Sequence, residues 1–346
     1  MNINNCKIEL IPNSIKILNI SDEEYFSEKY SNHISNSKLK LINPKEGGSP
    51  ELFFSEEKQD YNKSLEYGTA LHNLILQSKE FKLLNYKDKP NAKLGIFIDN
   101  LVKYRKQKYK IIDAIEKASE DANYYKNKIT KKLFRKSLEK GLKYYFDIYY
   151  DRLKSTDEKE NIVVSCDILE QLQDSLKCYY GCKQIRNYIE SDNSFNEQAI
   201  FSEFKVTLEN NEECILPFKL KIDNYVIDEI NKTITLNDLK TTSKPIDYFM
   251  GYKFYDELFE EYKGYLGSFH KMHYYRQLAI YIYILQQIYK EEYIYNTNII
   301  VAGPKPDYGF ALIPIQNAYI EKGILEFKEL MFRVAFHTLY GKDARF

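Results

Sequence analysis

The chain has 346 residues, enough for one large domain or two smaller ones with a substantial core. Hydrophobic residues make up 44% and charged residues 29%, and the lack of any apolar run of about 18 residues argues against a transmembrane helix. With 50 basic and 50 acidic residues the formal charge is zero, so any nucleic-acid contact must be a local patch.

The opening stretch, MNINNCKIELIPNSIKIL, lacks the basic, apolar and small-residue regions of a secretory signal, and a soluble, cytoplasmic protein is expected. Cys6, Cys166, Cys178, Cys182 and Cys214 are odd in number and scattered, which reads as free thiols rather than a disulfide framework or a metal site. The 32 tyrosines and absent tryptophan, with abundant Ile, Lys and Asn, read as the bias of an AT-rich genome.

Residues 1–34 are polar with short apolar runs. Ser35 or Ser37 then caps a short helix that the following Pro and Gly residues end. In SLEYGTALHNLILQSKEF, Leu65, Ala70, Leu71, Leu74 and Ile75 recur at helical spacing, which places Gly68 and His72 one turn apart on a buried helix. Residues 85–190 carry helical patterns, and the Lys/Arg density between 103 and 143 reads first as a solvated basic face.

From Asn196 the texture becomes β-prone. QAIFSEFKVTL, CILPFKLKIDNYVIDEI and KTITLNDLKTT predict three successive strands, separated by the turn signals ENNEE and INKT. After a loop of about 25 residues, HKMHYYRQLAIYIYILQQIYKEEY predicts a long apolar helix. YNTNIIVAG and YGFALIPI predict two closing strands, and AYIEKGILEFKELMFRVAFHTLYG a last amphipathic helix. The expected divisions are 1–34, a polar segment; 35–84, the start of the core domain; 85–190, a helical insertion; and 191–346, the core with its strands and C-terminal helices.

Asp238 and Lys240 are two apart on a predicted strand, so both side chains point to one side while Leu239 packs on the other. Asp223 precedes Asp238 by a hairpin's length, which can bring both carboxylates to one edge of the sheet. Two aspartates beside a lysine suit phosphodiester hydrolysis: hard oxygens hold a divalent cation, and the ammonium group positions water or offsets developing charge.

Asp223 followed by Asp238-Leu-Lys-Thr-Thr242 resembles the core of the PD-(D/E)XK nuclease superfamily, in its RecB-type and RecE-type exonuclease branch (the lambda-exonuclease-like group). Gly68-Thr-Ala-Leu-His72 is similar to that branch's early Gly-His helix, and Gln277 and Tyr281 to its glutamine and tyrosine one turn apart. ISNSKLKLINPKEGGSPELF is similar to the opening of the nuclease domain, and the stretch from Ser165 to Glu190 to the helices before the first catalytic strand.

The resemblance implies an α/β (α+β) restriction-endonuclease-like core, with a mixed central sheet flanked by helices and a large helical insertion. It implies that Asp223, Asp238 and the Leu239 carbonyl bind Mg²⁺ or Mn²⁺, with His72 as a further ligand and Lys240 as the water-activating residue. Gln277 and Tyr281 would position substrate or lysine. Glu203 would be the acidic residue of the preceding strand, for which Glu197, Asp228 and Glu229 are alternatives. Thr241 and Thr242 would cap the strand's exit or touch the DNA backbone, and Lys219 and Lys221 flank Asp223.

No cysteine follows Cys214, which excludes the iron–sulfur variant. The implied activity is Mg²⁺-dependent exonuclease action at duplex DNA ends for recombination. A homo-oligomer, a single-strand annealing partner and no membrane are expected, in the host cytoplasm if the chain is phage-encoded. The alternatives are a single-strand or structure-specific endonuclease, or a DNA-binding protein that does not cut.

Overall fold

The computed structural model describes residues 3–55, 63–83, 92–123, 139, 160–162, 164, 166–256, 261–289 and 292–346. The helix expected over 131–153, apart from Glu139, and residues 124–138 and 140–143 of the basic stretch lie outside the described residues. The chain divides into two units, Met1–Asn62 with Ser175–Phe346, and Lys63–Asp174.

The strands in chain order are β1 (Lys7–Leu10), β2 (Lys16–Leu18), β3 (Phe81–Leu83), β4 (Glu160–Ile162), β5 (Ser194–Thr207), β6 (Glu213–Asp228), β7 (Thr233–Thr241), β8 (Gly251–Asp256), β9 (Glu261–Leu266), β10 (Ile294–Ala302) and β11 (Phe310–Pro314). The first unit is built on a seven-stranded mixed sheet in the order β1-β5-β6-β7-β10-β11, with β2 also on β5. Every pairing is antiparallel except β7 with β10. A parallel pair needs a long crossover, and the helix Tyr274–Tyr289 supplies it. This is the mixed α/β architecture expected, a central mixed sheet flanked by helices.

The second unit contains the helices Lys63–Leu76, Ala92–Lys106 and Ile111–Asp121, and the short parallel pair β3–β4. The last two helices pack Phe97, Ile98 and Leu101 against Ala114 and Ala118, small residues that let the axes approach. The N-terminal segment, uninformative in sequence, supplies two edge strands on β5. Part of the loop expected after Thr242 is a hairpin, β8 with β9.

The helix Tyr274–Tyr289 is apolar nearly all round, with Leu278, Ala279, Ile280, Ile284 and Leu285 all buried, as suits an element covered on several sides. The helix Asn317–Tyr340 crosses it at Gly323, where a Cβ would lie 2.4 Å from the Tyr275 carbonyl oxygen and 2.7 Å from Ala279 Cβ. Phe327, from that second helix, meets Phe204 of β5 and Phe218 of β6 edge-on at 5.4 and 5.7 Å.

Two polar networks run through this apolar interior. Arg276 donates to Asn36 Oδ1 at 2.8 Å and to Glu46 and Glu326, both at 2.6 Å. Asn43 donates to the same two carboxylates, while the Tyr275 hydroxyl and His273 Nδ1 also meet Glu326, at 2.8 and 2.7 Å. In the sheet, Asn298 donates to Asn237 (2.9 Å), Asn237 to Asn224 (2.7 Å), and Asn224 to Asn196 (2.7 Å), one amide from each of four adjacent strands.

Burial alone would raise the Glu326 carboxyl, but the bond to His273, the Arg276 charge and the bond from Tyr275 outweigh it and hold it at about 2, below its ordinary 4.5. Its stabilising contribution is therefore complete above about pH 4.5 and lost as pH falls from there towards about 2. Urea unfolding of wild type and Glu326→Gln should show a stability gap that narrows across that window. Arg276→Ala, which leaves two buried carboxylates without their cation, should cost about 3–5 kcal/mol in the same measurement.

Candidate active site

The β6–β7 ladder runs from Asp228↔Thr233 to Asn224↔Asn237 and stops there, while β7 stays paired with β10 as far as Thr241↔Ala302. The next opposed residues would be Asp223 and Asp238, so both aspartates sit where the strands part. Leu239 has lost the partner on β6 for its N–H, and the Asp223 side chain takes that place, Oδ2 accepting at 2.8 Å. Past the fork the freed edge of β6 is met by Ile34, whose N–H donates to the Pro217 carbonyl and whose carbonyl accepts from Lys219.

Lys240 reaches back along β7 to Asp238 Oδ2 at 2.6 Å and lies 4.0 Å from Asp223 Oδ2. The helix Tyr274–Tyr289 delivers the other side of the site. Gln277 Nε2 donates to Asp238 Oδ1 (3.1 Å) and to the Tyr281 hydroxyl (2.6 Å), which donates in turn to the Lys221 carbonyl at 2.9 Å. Gln277 and Tyr281 thus form one hydrogen-bonded line from β6 to Asp238, as their one-turn spacing allows. The Tyr274 ring lies 5.1 Å from Lys240 Nζ.

The acidic residue that β5 brings to this point is Glu197. Its neighbours pair as Asn196↔Asn224 and Gln198↔Ile222, which sets Glu197 opposite Asp223. A carboxylate oxygen of each lies within 4.8 Å of the other. Glu197 has φ 52°, a left-handed conformation that costs a non-glycine residue about 1–3 kcal/mol and gathers at functional sites. Its carboxylate pairs with Lys221, which also pairs with Asp22 from the N-terminal segment.

Glu203 does not join this group. It pairs with Pro217 six residues further along β5, about 20 Å away by strand rise, and it is exposed. Asp228 caps the β6–β7 turn by accepting from the Ile230 and Asn231 N–H groups, and Glu229 binds Lys232 and the Tyr293 hydroxyl. Lys219 donates to the Tyr25 carbonyl and Lys221 holds two carboxylates, so both flanking lysines are engaged within the protein. The Thr242 hydroxyl closes a local turn with Lys244, and Thr241 ends the β7–β10 ladder. His72 lies on the helix Lys63–Leu76 of the other unit.

The chain matches no protein-family model and no curated protein. Among solved structures it is similar to a "Putative exonuclease" from Eubacterium rectale, at 13% identity, with 94% of this chain and 89% of that chain covered and a TM-score of 0.46.

Asp238 is fully buried, and burial, with Asp223 beside it, pushes its carboxyl up to about 7 against the pull of Lys240. Burial and Asp223 likewise push Glu197 up to about 7 against the pull of Lys221. Burial works to lower Lys240, but Asp238 and Asp223 outweigh it and hold the ammonium group above its ordinary range. Asp223, Asp238 and Glu197 thus bring three carboxylates to the fork, held by Lys240 and Lys221. Converging carboxylate oxygens are hard ligands of the kind that suit a divalent cation such as Mg²⁺ or Mn²⁺.

The Asp238–Lys240 pair is buried, so removing one member should cost more than removing both. Lys240→Met should lose about 3 kcal/mol in urea unfolding without divalent cations at mildly alkaline pH, and adding Asp238→Asn should recover most of it. A loss in the double variant equal to the sum of the two single losses would mean that the pair is not coupled.

Proposed function

We propose that this chain is a metal-dependent deoxyribonuclease. The observation that carries the reading is the meeting of Asp223, Asp238 and Lys240 where β6 leaves β7, with Glu197 adjoining.

In this reading Asp223, Asp238, Glu197 and the Leu239 carbonyl hold the cation, and the sequence motifs favour His72 as a further ligand. A divalent ion so held would polarise a phosphate and make a water more acidic. Lys240, kept protonated by its two aspartates, is suited to donate a hydrogen bond and offset negative charge on the phosphate as it builds up. Gln277 occupies Asp238 Oδ1 and leaves Oδ2 to Lys240, which fixes the plane of the carboxylate. Tyr281 holds Gln277 in turn.

The finer assignment, Mg²⁺-dependent resection of duplex ends in recombination by a cytoplasmic homo-oligomer working with an annealing protein, is supported by the ordered sequence motifs described above. Glu197 replaces Glu203 in it.

Purified protein should degrade linear duplex DNA with Mg²⁺ or Mn²⁺. Lys240→Ala and Asp238→Ala should each lower the rate by at least about 10²–10³-fold. Wild type should also melt at a higher temperature in Mn²⁺, and Asp223→Ala should not, a readout independent of cleavage. Uncut circular DNA beside degraded linear DNA selects an exonuclease, and cut circles select an endonuclease. Binding without cleavage of any DNA, or undiminished cleavage by Lys240→Ala, overturns the proposed site.

A further inference from the structure

Directly after Thr242 the chain forms the turn Ile246–Tyr248 and then the β8–β9 hairpin. Three tyrosine rings gather at the hairpin's base. Tyr248 meets Tyr252 at 5.3 Å and Tyr265 at 5.7 Å, both nearly edge-on, and Tyr252 and Tyr265 stack at 6.1 Å. Aromatic rings at such density usually line a core, yet Tyr248 and Tyr252 are 39% and 44% exposed, with Leu266 and Met272 also open to solvent. An exposed group of aromatic and apolar side chains marks a binding surface.

The base of the hairpin is fixed in place. A Cβ on Gly267 would lie 2.2 Å from the Phe249 carbonyl oxygen and 2.3 Å from the Gly251 nitrogen, and Gly251 itself has φ 88°. Only glycine fits either position, so the two strands close tightly under the rings. The platform is also continuous with the proposed site. Lys240 Nζ lies over the Tyr274 ring, Tyr274 stacks on Phe249 at 5.8 Å and 10°, and Phe249 follows Tyr248 directly. Two cations flank it: Lys271, 4.6 Å from the Tyr265 ring, and exposed Lys244. Asp247 is exposed beside them, so the patch is more aromatic than basic.

We propose that Tyr248 and Tyr252, backed by Tyr265, form a stacking platform for the bases of a single DNA strand on its way to or from Lys240. The proposal rests on the nuclease reading for its substrate. Stacking on exposed aromatic rings tolerates any base, and two lysines in the same stretch suit the backbone of one strand.

The test is binding of a single-stranded oligonucleotide carrying 2-aminopurine, by full-length protein without divalent cations. Stacking should quench the probe. Tyr252→Leu and Tyr248→Leu should weaken binding roughly tenfold each and restore fluorescence, while Tyr252→Phe keeps both affinity and quenching. The salt slope should be shallow, about −1.4 if Lys244 and Lys271 each meet one phosphate. Wild-type affinity in both leucine variants, or no binding of the oligonucleotide, overturns the platform. Because this assay needs no cleavage, the two ideas fail separately. Tyrosine-dependent binding with no nuclease activity leaves the platform and removes the nuclease, and cleavage with tyrosine-independent binding does the reverse.

Discussion

A backbone N–H without a strand partner organises the centre of this sheet. Where β6 turns away from β7, Leu239 loses its ladder bond, and a buried unpaired N–H would cost about 1–3 kcal/mol. The Asp223 carboxylate fills the gap, and that bond fixes the side chain at the fork. Once a carboxylate is bound there, Asp238 one step along β7 is forced into its field, and Lys240 is needed between them. Glu197 across β5 adds a third negative charge and takes up Lys221. The charge pattern of the site follows from the parting of two strands.

The same economy appears in the helix that covers the site. Its buried Arg276 cannot be solvated, so it draws Glu46 and Glu326 from two other segments into contact, and these tie the helix to the N-terminal segment and to the helix Asn317–Tyr340. Gln277 is the next residue. Its reach to Asp238 is therefore set by an ion-pair network on the neighbouring helical position, with Gly323 holding the two helices at a close distance. A residue that touches nothing in the site, such as Glu46, still determines where the amide of Gln277 stands.

Much of this was legible in the chain. Period-two patterns marked β5, β6 and β7, and the apolar run around Gln277 marked the crossover helix, because hydrophobic burial writes directly into sequence. The spacing of Asp238 and Lys240 followed from strand geometry alone. Glu197 was harder to read, because its place depends on a left-handed residue inside a strand and on the register of a long hairpin, neither of which has a local signature. Its φ 52° falls on a glutamate, where glycine or asparagine would have advertised it. β1 and β2 are short edge strands whose partner lies nearly 200 residues away, so nothing in their own composition announces them. The β8–β9 hairpin hid for another reason: its base closes on Gly251 and Gly267, and a residue without a side chain leaves no hydrophobic pattern to read.

The row of asparagines has a consequence of its own. Asn224 and Asn237 are the immediate neighbours of Asp223 and Asp238, and each amide both gives and receives a hydrogen bond across the sheet. A slip of any one strand by two residues would preserve the alternation of apolar side chains, and hydrophobic packing would tolerate it. It would also strand an amide in the interior. The asparagines act as an indexing key beside the carboxylates: pairing in the wrong register is penalised by the amides it strands, which favours the one register in which the acidic residues meet.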